Sequence, residues 1–207
     1  MNFDLDSIKN KNKILTHLPQ WWLSIILVFF SWFIIKQYWI AVGSNIFSVV
    51  NYDHVFGFSF IYFIMDNLSL IIHEAGHTIF GIFRWRFLTI LGGTLLECLI
   101  PFLIIIFGWK NKKLITTQIG LYWLGFTCLD AAAYASDAFY RQLPLIGNLP
   151  KSAHDYFNLL SDLNLLSHYK TVAWVLFSTG IIVLCFSILL PLLHRKEAQH
   201  IYLDLKL

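Results

Sequence analysis

The chain has 207 residues, one domain by length alone, with 57% apolar types, 17% aromatics and only 13% charged residues. Soluble globular domains carry about 25% charged residues, so a surface facing water on all sides is excluded and an integral membrane protein is expected. The formal charge of +3 is small, and the basic residues fall in short clusters between apolar stretches, which suits membrane topology and not nucleic-acid binding.

Residues 1–19 form a polar tail with Lys9, Lys11 and Lys13. The run that follows, WWLSIILVFFSWFII, is long and aromatic-rich and has no small-x-small cleavage site. It reads as a retained first span over about 20–42, not as a removed signal. A second apolar segment, Val55 to Phe83, has 29 residues. That exceeds the ~20 needed to cross a bilayer, so the segment tilts, bends or protrudes. A third runs over 87–108 and is interrupted by Gly92, Gly93, Glu97 and Pro101; a fourth covers about 114–140. The stretch RQLPLIGNLPKS is a loop punctuated by Pro144, Gly147 and Pro150. Over 154–166, Tyr156, Leu159, Leu160, Leu163 and Leu166 recur at helical spacing, which predicts a short amphipathic helix. A fifth span covers about 171–193, and 194–207 is a polar tail. The expected fold is all-α: a polytopic transmembrane helical bundle of about five apolar segments within a membrane-embedded domain over 20–193. Cys98, Cys128 and Cys185 lie in apolar stretches without zinc-finger spacing and read as small buried hydrophobes.

Two topologies follow. Five full crossings from an inside N-terminus put Lys110, Lys112 and Lys113 outside, together with Arg195 and Lys196, against the positive-inside bias. If 87–108 instead dips in and returns at its glycines or proline, those clusters share the N-terminal side. Broken backbone is tolerated at membrane depth where protein or a water cavity covers it.

The chemistry is concentrated in LIIHEAGHTIFGIF, residues 70–83. His73 and His77 are four apart, so on a helix their rings stand one above the other and can grip one ion. Glu74 lies one residue further round, placed to take a proton from a metal-activated water, as in the H-E-x-x-H metallopeptidases. Ionisable groups at membrane depth are costly to house and usually functional. Asp66 and Ser69 precede His73 on the same face and are candidates to orient an imidazole; Gly76 and Gly81 would let another helix approach closely.

A catalytic zinc needs a third protein ligand and one open position. The candidates are Asp130, Asp137, His154 and Asp155. Asp130 and Asp137 are seven apart, on one helix face lined by Ala131 to Ala133 and Ala135, a face small enough to pack on the His73/His77 helix. Asp155 also fits a helix start, because Ser152-x-x-Asp155 is capping-box-like.

The long apolar helix with HEAGH, the glycine-broken segment after it and the later Asp together resemble the site-2-protease-like membrane zinc metallopeptidases. More narrowly, HEAGHTIFGIF, GGTLLECLIP, YASDAFYRQLPLIG and HDYFNLL resemble a small group of bacterial membrane proteins of that general kind. The resemblance covers about residues 55–166. It implies Zn2+ as cofactor, His73, His77 and Asp155 as metal ligands, Glu74 as catalytic base, and a multi-pass location in the bacterial inner membrane. The substrate it implies is a membrane protein or peptide within the lipid bilayer. The family's Leu-Asp-Gly is missing: Asp155 sits in HDY, and Leu129-Asp130 is followed by alanine.

The expected function is therefore a zinc-dependent intramembrane or juxtamembrane endopeptidase. The alternative is a non-hydrolytic membrane protein that binds or passes a metal ion or proton through the same polar residues. An iron-dependent lipid hydroxylase would need several histidine boxes, and the chain has one.

Overall fold

A helix satisfies its interior backbone N–H and C=O groups within itself, so long apolar runs wind into helices when no water is available to them. The computed structural model describes residues 21–44 and 58–204. Among the described residues there are five long α-helices and one short one: α1 (Trp22–Ser44), α2 (Phe58–Gly81), α3 (Arg86–Lys110), α4 (Leu114–Ser136), α5 (Asp155–Asp162) and α6 (Tyr169–Asp204). Among the described residues there is no strand. Three helical stretches are long and apolar enough to cross a membrane: Trp22–Ser44, Arg86–Lys110 and Leu166–Leu193. α2 and α4 are equally long but carry Asp66, His73, Glu74 and His77, and Gln118 and Asp130. Among the described residues, three of the expected five apolar segments meet that criterion of length and composition. The tail over 1–19 and residues 55–57 lie outside the described residues.

Large apolar side chains cover the outside. Trp32, Phe60, Ile71 and Ile82 are each two-thirds or more exposed. A surface of that kind suits contact with lipid, not water. On the inside, α4 is the central element. It packs against α6, α3 and α1, while α2 packs chiefly on α3. Small residues allow the tightest approach. A Cβ on Gly125 would lie 2.8 Å from Leu184 Cγ, and one on Gly180 would lie 2.9 Å from Leu129. A polar thread ties the same helices: Gln118 Nε2 donates to Ser24 Oγ, Ser24 Oγ to the Ile188 carbonyl, and Ser187 Oγ to the Gln118 carbonyl, each at 2.8 Å.

Several expectations are revised. The 87–108 segment does not dip and return, because α3 is one unbroken helix of 25 residues through Gly92, Gly93 and Pro101. Its glycines are packing sites: a Cβ on Gly76 would lie 2.2 Å from the Gly92 carbonyl oxygen, so these residues let α2 and α3 touch backbone to backbone. The two helices form a hairpin whose turn places Arg84 at φ 54°, in the left-handed region. The fourth segment ends at Ser136, four residues early, and α6 runs past 193 to Asp204. α4, expected to pack tightly on the histidine helix, packs chiefly on α6, α3 and α1. Cys98 and Cys128 are partly buried, and Cys185 is exposed on the outer side of α6.

Candidate metal centre

The short helix α5 brings the centre together. Its buried face is Tyr156, Leu159 and Leu160, which packs on α3 and α4; the chain then leaves the helix, so Leu163 is exposed and Leu166 belongs to a 3₁₀ turn. Arg86, at the start of α3, anchors the helix from the other side, donating to Asp162 and, at 2.9 Å, to Asn158 Oδ1. The expected Ser152 cap is not used. His154 caps the helix, its Nδ1 accepting from the Phe157 N–H at 3.3 Å, and Asp155 is the first helical residue.

That placement turns Asp155 toward α2. Its Oδ2 lies 3.1 Å from His73 Nε2 and 3.3 Å from His77 Nε2, and the three ligand atoms fall within 4.8 Å of one another. The two imidazoles are 4.9 Å apart between centroids and nearly perpendicular. Each ring is held at its other nitrogen by α3. His77 Nδ1 lies 2.9 Å from the Thr89 carbonyl oxygen, and His73 Nδ1 lies 3.2 Å from Glu97 Oε2. A carbonyl oxygen only accepts, so His77 Nδ1 carries the proton, and in the neutral ring its Nε2 is a bare lone pair. A lone pair facing a carboxylate oxygen at 3.3 Å repels it. Something positive has to lie between them: a second proton on the ring or a metal cation. Burial pushes the Asp155 carboxyl up, but when the facing ring nitrogens carry protons its hydrogen bonds with His73 and His77 outweigh that and hold it below the ordinary carboxylate range. Two neutral nitrogens and one carboxylate oxygen, converging with their outer nitrogens already tied, match the donor set of a catalytic zinc site.

The centre opens into a cavity of about 560 Å³. Glu74, Tyr134, Glu97, Asp66 and Asp130 line it, and Leu143 to Ile146 with Leu149 form its apolar rim. No Lys or Arg is among the lining residues. Tyr134 accepts the Asp155 N–H at its hydroxyl (3.3 Å), which leaves its own proton to give.

The remaining candidates do other work. Asp130 accepts from Tyr38 Oη at 2.9 Å, itself hydrogen-bonded to Tyr62 Oη. Asp137 lies beyond the end of α4, fully buried, and accepts the N–H groups of Gln142 (2.7 Å) and Leu143 (2.8 Å). His154, also fully buried, places Nε2 3.5 Å from Asp137 Oδ2, and its ring lies 4.2 Å from that of Tyr134, tilted by 34°. Asp137 and His154 therefore clasp the loop that leads into α5. Neither Asp66 nor Ser69 meets an imidazole directly; Ser69 Oγ accepts from Trp123 Nε1 at 3.3 Å and hydrogen-bonds the Glu97 carboxylate, and Asp66 lines the cavity. Tyr134 was not foreseen as a neighbour of the centre, nor Glu97 as the partner of His73. The usable signal for Glu97 was an acid buried in an otherwise apolar helix next to two packing glycines.

Comparison of the chain with family models, with curated proteins and with solved structures finds no match.

Proposed function

We propose that this chain is a zinc-dependent intramembrane or juxtamembrane endopeptidase, multi-pass in the bacterial inner membrane, whose α1 to α4 and α6 all cross the bilayer. One observation carries the reading: His73 Nε2 and His77 Nε2 meet a single Asp155 oxygen at 3.1 and 3.3 Å while both Nδ1 atoms are tied elsewhere. His73, His77 and Asp155 would hold the ion. When bound, zinc supplies Lewis acidity toward a peptide carbonyl and makes water acidic enough to attack at neutral pH.

The chain's own residues do the rest. Glu74, next to His73 on the cavity wall, takes the proton of the attacking water on its carboxylate and returns it to the leaving amine. Tyr134 Oη donates its proton as a hydrogen bond to the oxygen that becomes negative as the carbonyl is attacked. The apolar rim at 143–149 receives the side chains of a locally unwound membrane segment and keeps bulk water out.

A second reading, binding or passage of a metal ion or proton without hydrolysis, is favoured by the carboxylates of Asp66, Glu97 and Asp130 in a cavity whose described lining includes no Lys or Arg. Glu74→Gln separates the two. The variant and wild type are reconstituted in proteoliposomes with tagged single-span membrane reporters, and zinc content and reporter cleavage are both measured. Retained zinc with cleavage abolished is the expected result. Cleavage at the wild-type rate in Glu74→Gln refutes the peptidase reading, and zinc-loaded wild type that cleaves nothing favours the second.

A further inference from the structure

We propose that Glu97 is a positioning residue for the metal, acting only through His73, and that α3 is the template that presents both imidazoles to the ion. This rests on the metal reading above and adds to it an unequal pair of ligands.

The geometry begins with Gly93, one turn before Glu97. A Cβ there would lie 2.6 Å from His73 Nε2, so the ring lies directly against the α3 backbone. With the ring pressed there, its Nδ1 meets Glu97 Oε2 at 3.2 Å. Thr89, one turn before Gly93, offers its carbonyl to His77 Nδ1 at 2.9 Å. One helix therefore holds both rings at Nδ1, and both Nε2 atoms are left pointing at Asp155.

Glu97 is otherwise a poor choice of residue. It is 4% exposed, in a helix apolar enough to cross a membrane, and no Lys or Arg among the described residues lines the cavity it faces. A buried carboxylate in such a place is retained when it serves a partner. The N–H partner the structure gives it is His73. A carboxylate accepting from Nδ1–H fixes the tautomer and the ring plane, and its negative charge makes Nε2 a better donor to a metal. His77 receives only a neutral carbonyl. His73 is thus the stronger of the two ligands, and its strength comes from Glu97.

The test uses the full chain in detergent, with zinc alone titrated against a chromophoric chelator. Gel filtration and helical circular dichroism report the fold. Glu97→Ala is expected to weaken zinc binding about 10- to 100-fold. Glu97→Gln, which keeps an oxygen for the N–H but loses the charge, should weaken it about 3- to 10-fold. In a His73→Ala background, whose weak residual site is His77 and Asp155, neither change at Glu97 should weaken zinc further. In a His77→Ala background both should keep their full effect. Zinc affinity within twofold of wild type in Glu97→Ala overturns the proposal. So does a loss of equal size in the His73→Ala background, because it marks a general structural role. If Glu97→Ala does not fold, the Glu97→Gln pair decides by the same two criteria. His73→Ala binding zinc as tightly as wild type is a different failure, that of the metal reading itself.

Discussion

Gly76→Ala puts the helix contact beneath the metal centre under direct strain. The added methyl would lie 2.2 Å from the Gly92 carbonyl oxygen, 2.8 Å from the Gly92 carbonyl carbon and 2.8 Å from Gly93 Cα, all backbone atoms. An unstrained contact needs about 3.5 Å, so α2 and α3 have to part by roughly 1 Å or absorb the overlap. Parting stretches the His77–Thr89 and His73–Glu97 contacts, now 2.9 and 3.2 Å, beyond hydrogen-bonding reach. Losing one neutral and one charge-assisted bond costs about 3 kcal/mol, and staying overpacked costs about 1–3 kcal/mol. Alanine recovers up to about 1 kcal/mol of helix propensity, so the net loss is about 2 kcal/mol. For a chain of this size that is a fall of roughly 4–8 °C in Tm. Gly81→Ala is the control: the nearest atom to its methyl would be Thr89 Cγ2 at 3.6 Å, so it should be neutral or slightly stabilising. Thermal unfolding in detergent and zinc titration read both variants. A Gly76→Ala protein with unchanged Tm and unchanged zinc affinity refutes the backbone-contact argument, as does an equal penalty in Gly81→Ala.

Two further predictions follow from the residues around Asp155. Asp137→Asn offers one acceptor oxygen where two backbone N–H groups now find two, and should cost about 2–3 kcal/mol. Limited proteolysis should then cut faster within 142–153 and zinc affinity should fall, whereas wild-type protease resistance would show that the clasp does not hold the loop. Tyr134→Phe should leave zinc binding unchanged and slow reporter cleavage about 100- to 1,000-fold; cleavage at the wild-type rate removes Tyr134 from the reaction.

Local spacing made part of this molecule legible in advance. His73 and His77 share a face because four residues make about one helical turn, and that needs no knowledge of the rest of the fold. The break before Asp155 was legible too, since Pro144, Gly147 and Pro150 cannot continue a helix. Pairings between helices were not. Glu97 meets His73 because Gly92 and Gly93 bring α3 flat against α2, and the same two glycines read equally well as a break in the backbone. Asp137 and Asp155 are both acids near a helix end; only the path of the loop makes one bind backbone N–H groups and the other face two imidazoles. Ser152 loses the cap to His154 because the chain is still turning in a 3₁₀ segment over Lys151–Ala153.

The three converging side chains are spread over 82 positions, two from α2 and one from the helix that follows the loop. During synthesis, α2, α3 and α4 are all made before residue 155 exists to join them. Under the peptidase reading, a nascent chain therefore has no working centre while its own first helices are being threaded into the bilayer, and it is inert toward them and toward neighbouring chains at the insertion machinery. Delay of that kind is a safeguard written into the order of the residues and requires no separate inhibitor.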